Sequence, residues 1–151
     1  MIQLLDANVL IALADSSHPH RAAALRFFER RAVPEGWATC PLTENAFLRI
    51  QGRSGSGRSI GSAREARLVL ATLLAAPAHH FWPDDQSLAD ERLFPVLPPS
   101  ADLTDIYLLA LAVKNGGRFA TFDSKIDPAF IPGGVQAFYL CLLYTSPSPR
   151  D

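Results

Sequence analysis

Short apolar runs alternate along this chain with stretches of helical spacing, and that alternation narrows the fold more than any other feature. Residues 2–5 form an apolar run of strand length that stops at Asp6, and ANVLIALA follows as a short helix. After the turn Asp15-Ser-Ser-His-Pro, Pro19 is suited to open a helix, because its missing N–H is not needed at the first helical position. Ala23, Ala24, Phe27 and Phe28 carry the helical spacing to about Arg31. Pro34-Glu35-Gly36 reads as a turn, residues 37–40 as a second strand, and the stretch from Pro41 as a helix. That helix must end near Gly52, where the Gly/Ser-rich GRSGSGRSIGS begins. A further helix runs from about 63 to 75 and is stopped by Pro77. Residues 79–82 read as a weak strand, 86–93 as a short helix and PVLPPS as a linker. The strongest helix, 103–114, is capped by Ser100 or Asp102 and closed by Asn115-Gly116-Gly117. Residues 118–122 and 135–140 complete the set as strands. No internal repeat is present. Strands alternating with helices define an α/β fold, a sandwich around a mostly parallel sheet.

Composition excludes several function classes. The chain has 151 residues, 48% of them hydrophobic and 19% charged, which suits one globular domain. A net charge of −1 rules out a uniformly basic nucleic-acid coat, though not a local basic patch. Two cysteines, Cys40 and Cys141, cannot build a disulfide scaffold or a four-cysteine zinc site. The longest apolar stretch, near residues 106–113, falls far short of the roughly 20 residues that span a bilayer. MIQLLD has no basic start and carries an acid at position 6, so no secretory signal is expected and a cytoplasmic protein is. The ending CLLYTSPSPRD, residues 141–151, resembles the translation of a transposase adapter used in preparing sequencing libraries. The expected division is therefore a domain over 1–140 and a foreign tail over 141–151.

Parallel sheets keep their sites beyond the carboxyl ends of the strands. Asp6 follows the first strand, Glu44 comes just after the second, and Asp123 follows the strand over 118–122. Asp105 lies in the first turns of the long helix, ahead of the apolar IYLLALAV. Each has a plain structural reading: Asp6 as a helix cap, Glu44 as a favourable charge at a helix N-terminus, Asp105 as a surface residue, Asp123 as a turn residue. Gathered at one sheet edge, the four would repel each other and take up protons unless a cation joined them. Mg²⁺ and Mn²⁺ prefer such oxygen ligands, and metal-assisted phosphodiester hydrolysis is the chemistry the set most readily supports.

Four segments carry a resemblance: LLDANVLIAL, PLTENAFLRI, LTDIYLLALAV and GRFATFDSKI, in this order and at this spacing. Over residues 1 to about 140 the chain resembles the PIN-domain family, and most closely the VapC toxins of bacterial toxin–antitoxin pairs. The resemblance implies a three-layer α/β/α sandwich with a mostly parallel central sheet. It implies a Mg²⁺- or Mn²⁺-dependent endoribonuclease acting on structured RNA such as tRNA or rRNA, neutralised by a VapB-like antitoxin and forming a homodimer. The family's acidic quartet falls on Asp6, Glu44, Asp105 and Asp123, with the three aspartates as the main metal ligands and Glu44 binding a second metal or orienting water. Asn8 and Thr121 match polar positions that support the quartet. A processing nuclease with no toxin role and a silent binding module share these motifs and remain alternatives.

Charge is uneven. Residues 21–67 hold nine arginines against four glutamates, whereas residues 84–127 hold eight acids against four bases. Arg49, Arg53 and Arg58 are the expected RNA contacts beside the acidic centre. Arg26, Arg30, Arg31 and Arg67 read as a solvated helix face. His18 and His20 lack a nearby third ligand and read as loop residues. GRSGSG lacks the Lys-Ser/Thr ending of a phosphate-binding loop. A phosphatase using Asp6 as nucleophile would carry a second aspartate where this chain has Asn8.

Overall fold

The computed structural model describes residues 1–53 and 60–141. Strand β1 (Gln3–Leu5) leads into helix α1 (Ala7–Ala14), then α2 (Arg21–Phe27), a π-helical turn (Phe28–Ala32) and α3 (Val33–Glu35). Strand β2 (Trp37–Thr39) is followed by α4 (Pro41–Gln51), α5 (Ala63–Leu74) and β3 (His79–Phe81). A 3₁₀ turn (Ser100–Asp102) opens α6 (Leu103–Lys114), which returns to β4 (Arg118–Thr121). A second 3₁₀ turn (Pro128–Phe130), α7 (Gly134–Ala137) and β5 (Phe138–Leu140) close the fold.

All strand pairs are parallel, in the order β3-β2-β1-β4-β5. Alternation along each strand divides the core into two layers. Leu4, Ala38 and Phe119 face α6, whose residues Ile106 to Ala112 are all buried, as a helix apolar on every side requires. Leu5, Trp37 and Ala120 face the other way, onto α1, α2, α4 and α5 through Val9, Leu10, Ala24, Phe27, Phe47 and Leu70. The result is an α/β/α sandwich, as expected. Chain connections run outward from β1 in one direction and from β4 in the other. The reversal between these central strands leaves a crevice at their carboxyl ends.

Three stretches differ from the sequence expectation. Residues 86–93 form turns, not a helix. The Ser87 hydroxyl accepts the Ala89 N–H and the Asp90 carboxylate accepts the Arg92 N–H, so side chains take donors a helix would need. Residues 33–35 are helical where a turn was expected. The Val33 N–H reaches back to the Phe28 carbonyl in π register, which carries the helix past Pro34 until Gly36, at φ 94°, ends it. Residues 134–137 form a helical turn before β5, since the left-handed Gly133 (φ 78°) and Gly134, packed tightly on the Pro128 carbonyl, reverse the chain there. Cys141, the first residue of the expected tail, is fully buried beside the second core layer. Residues 142–151 lie outside the described residues.

Gly117 shows how tightly β4 enters the sheet. A Cβ there would stand 2.4 Å from the Ile2 carbonyl oxygen and 2.8 Å from the Trp82 ring. That carbonyl accepts the Arg118 N–H that starts the β1–β4 pairing. Gly117→Ala is expected to lower stability by about 1–3 kcal/mol, the usual cost of overpacking, measured by urea denaturation. Gly116 has open space at its Cβ and differs only by its positive φ of 68°.

Candidate active site

The crevice between β1 and β4 holds a compact polar cluster. Asp6 follows β1 and is only 8% exposed. Its backbone N–H bonds the Ala120 carbonyl, so it stands level with Thr121 across the sheet. One carboxylate oxygen accepts the Ala7 N–H at 2.7 Å and caps α1; the other accepts the Thr121 hydroxyl, also at 2.7 Å. The structural reading of Asp6 as a cap is therefore true, and it uses only one of the two oxygens.

Thr121 is fully buried and its hydroxyl is saturated. It donates to Asp6 and accepts from the Asn8 amide at 3.1 Å and the Asp123 N–H at 3.0 Å. Asn8 also accepts the Phe122 N–H, tying the first turn of α1 to the end of β4. Asp123 holds its loop by accepting the Lys125 N–H at 2.8 Å. Thr121→Val is expected to lower stability by about 1–3 kcal/mol, because it leaves buried partners unpaired. Thr121→Ser, which keeps the hydroxyl, should stay near wild type; paired urea denaturation of the two variants checks the difference.

Asp105 sits in the first turn of α6, on the other side of the crevice. Its carboxyl is pushed up to about 7, first by burial and then by the charges of Asp6, Asp123 and Asp102. The helix N-terminus favours the ionised form, but burial and neighbouring negative charge outweigh it. Asp6 is also raised, mainly by burial, with Asp123 adding repulsion and the bonds from Thr121 and Ala7 opposing it. Asp6, Asp105 and Asp123 thus share one electrostatic field.

Glu44 is placed differently. It lies in the first turn of α4 and accepts the Thr39 hydroxyl at 2.7 Å, at the end of the neighbouring strand β2. Its charge reaches His79 on β3. The structure therefore brings three of the four expected acids into mutual interaction and anchors the fourth one strand over. Among the described residues, none of the four has a salt bridge, and no group of three acidic, imidazole or thiol side chains has the spacing to hold a metal ion.

Arg49 is exposed and touches Asn45; Arg53 is exposed; Arg58 lies outside the described residues. Arg31 pairs with Glu35 and stacks over Tyr139. His18 accepts the His20 N–H, and His20 stacks on Phe122. Thr39 and His79 were not singled out from the sequence. The signal for Thr39 is a buried polar residue closing an apolar strand. Asp84 was missed too: it accepts the Leu42 N–H at the start of α4. Its charge also acts on the Tyr107 hydroxyl and the Cys40 thiol, and burial together with this carboxylate pushes Cys40 up to about 11. A cleft of about 360 Å³ lined by Pro95, Val96, Asp127, Ala129, Phe130 and Pro132 contains none of the four acids.

A five-stranded parallel sheet with helices on both faces and aspartates at the ends of its two central strands is the frame of the PIN domain, and the model of that family matches residues 4–129. The chain belongs to the PIN-domain family. It is 42% identical over 123 residues to Ribonuclease VapC38 of Mycobacterium tuberculosis, covering 82% of this chain and 86% of that protein. It is 37% identical over 140 residues to Ribonuclease VapC39 of the same species, covering 90% and 99%. Among solved structures it is similar to VapBC2 from Rickettsia felis bound to a DNA fragment from their promoter. The TM-score is 0.55 at 12% identity, over 83% of this chain and 90% of that one, a likeness of fold.

Proposed function

We propose that this chain is a VapC-type toxin: an endoribonuclease dependent on Mg²⁺ or Mn²⁺ that hydrolyses phosphodiester bonds in structured RNA such as tRNA or rRNA. A VapB-like antitoxin restrains it, and it works as a homodimer in the cytoplasm. The relatives named as VapC ribonucleases support the activity, and the VapBC2 likeness supports the antitoxin partner. Among the described residues no helix is long and apolar enough to cross a membrane.

The observation that carries the reading is the shared field of Asp6, Asp105 and Asp123 in a crevice with no cationic side chain paired to them. In its chemistry such a donor set, all hard oxygen and under mutual repulsion, suits a divalent cation, although the three carboxylates as they stand do not have the spacing to chelate one. When bound, the ion supplies charge stabilisation at the phosphate and an activated water. The three aspartates are the residues that would hold it. Thr121 and Asn8 fix the Asp6 carboxylate and the Asp123 loop, and Glu44 would orient water or bind a second ion. Arg49, Arg53 and Arg58 are assigned to RNA phosphates.

The test is cleavage of a structured RNA by purified protein, with 5′ ends mapped in cells expressing the wild type or Asp6→Ala. New ends that appear only with the wild type, and vanish in vitro on adding EDTA, are expected. Identical end profiles from the two proteins overturn the nuclease reading. Cleavage without any growth arrest on expression favours a processing nuclease instead.

A further inference from the structure

Beside the aspartate cluster, a second polar chain runs across the edge of the sheet. Trp37 and Thr39 lie two positions apart on β2, on one face of the sheet, and His79 is the register partner of Trp37 on β3. The His79 Nε2 stands 2.8 Å from the Thr39 hydroxyl oxygen. That oxygen is 2.7 Å from the Glu44 carboxylate. Thr39 is fully buried, so its hydroxyl has no water to satisfy it.

A threonine hydroxyl has a single proton. An ionised carboxylate can only accept, so that proton belongs to Glu44. The His79 Nε2 must then donate to a lone pair of the Thr39 oxygen. A bare Nε2 would set lone pair against lone pair at 2.8 Å. The imidazole is held in place by the Trp37 ring, with centroids 4.7 Å apart, and the Trp37 indole N–H is itself fixed on the Pro77 carbonyl at 2.9 Å.

We propose that His79 is a positioning residue for RNA cleavage: its Nε2–H fixes the rotor of the Thr39 hydroxyl, and that hydroxyl fixes the Glu44 carboxylate. The proposal rests on the reading of Glu44 as part of the catalytic centre. Without the imidazole donor, the Thr39 hydroxyl can turn from Glu44, and the carboxylate loses the bond that sets its orientation. No other bond to the Glu44 side chain is present among the described residues.

Two substitutions separate this role from mere packing. His79→Phe keeps an aromatic ring against Trp37 but removes the donor. His79→Gln gives up the ring and can present an amide N–H near the position of Nε2. Positioning predicts that His79→Phe lowers kcat about tenfold with KM for RNA unchanged, and that His79→Gln restores part of the loss. A packing role predicts the reverse order, and that order overturns the proposal. In a Glu44→Gln background, His79→Phe is expected to add no further loss; a full additional loss shows that the effect does not pass through Glu44. The nitrogen-15 spectrum gives a readout independent of activity. The wild type should show a protected Nε2–H on His79 that is lost in Thr39→Val, and a wild type with Nε2 bare overturns the relay. If the protein cuts no RNA with Asp6 intact, the nuclease reading fails while the spectrum still decides whether the relay exists.

Discussion

Asp6→Asn is expected to remove about three orders of magnitude of RNA cleavage while leaving the fold within about 1 kcal/mol of wild type. The first half follows from charge. An asparagine keeps the shape of the side chain and deletes the anion that the proposed metal site depends on. Several kcal/mol of transition-state stabilisation then go, which is roughly a thousandfold in rate. The second half is a balance of opposing effects. The Asp6 carboxylate accepts from both Ala7 and Thr121. An amide has one acceptor oxygen, so one of these bonds is lost, at a cost of about 1–2 kcal/mol. Against that stands relief from ionising a buried acid that also feels Asp123. The two roughly cancel. Single-turnover cleavage of an end-labelled structured RNA, read beside the urea midpoint, checks both halves. An Asp6→Asn protein that cuts as fast as wild type sinks the assignment of Asp6. One that has lost several kcal/mol of stability shows that its loss of activity is a loss of fold.

The acids at the centre were legible because the sheet itself dictates their position. A short apolar strand that ends at an acid places that acid at the carboxyl edge, and Asp6 and Asp123 obey this rule around β1 and β4. Asp105 was legible for a different reason: an ionisable group in the first turn of a helix buried on every side needs a partner. What the sequence hid depends on contacts between distant segments. Glu44 sits at the start of α4 as expected, yet its carboxylate turns to Thr39, and nothing local to PLTENAFLRI shows that. The Thr39–His79 contact needs the β2–β3 register, which exists only once the strand order is known. Residues 86–93 have helical composition but lose to turns closed by Ser87 and Asp90. At 134–137 the apolar pattern suits a strand equally well, and the close packing of Gly134 on the Pro128 carbonyl decides for a helical turn.

Asp105→Asn is expected to stabilise the metal-free protein, and to do so only above about pH 5. The Asp105 carboxyl ordinarily titrates near 3.8 and is pushed up to about 7 in the folded chain. Below both values, folded and unfolded chains are equally protonated at this site. Between them the folded chain keeps a proton that the unfolded chain has released, so stability falls as pH rises through the interval and levels off above it. A shift of this size corresponds to at most about 4 kcal/mol. With a partly solvated, screened site, roughly 2 kcal/mol is the expected gain of the variant at pH 8, shrinking to nothing near pH 4. Divalent cations should act in the opposite sense. Added Mg²⁺ should raise the wild-type midpoint at pH 8 and leave Asp105→Asn nearly unmoved, because the charge it neutralises is gone. Urea titrations of both proteins at pH 4.5, 6 and 8, each with EDTA or Mg²⁺, measure these differences together. A variant that is destabilised equally at every pH would show that Asp105 is a packing residue. Equal stabilisation of both proteins by Mg²⁺ would place the cation somewhere other than the crevice between β1 and β4.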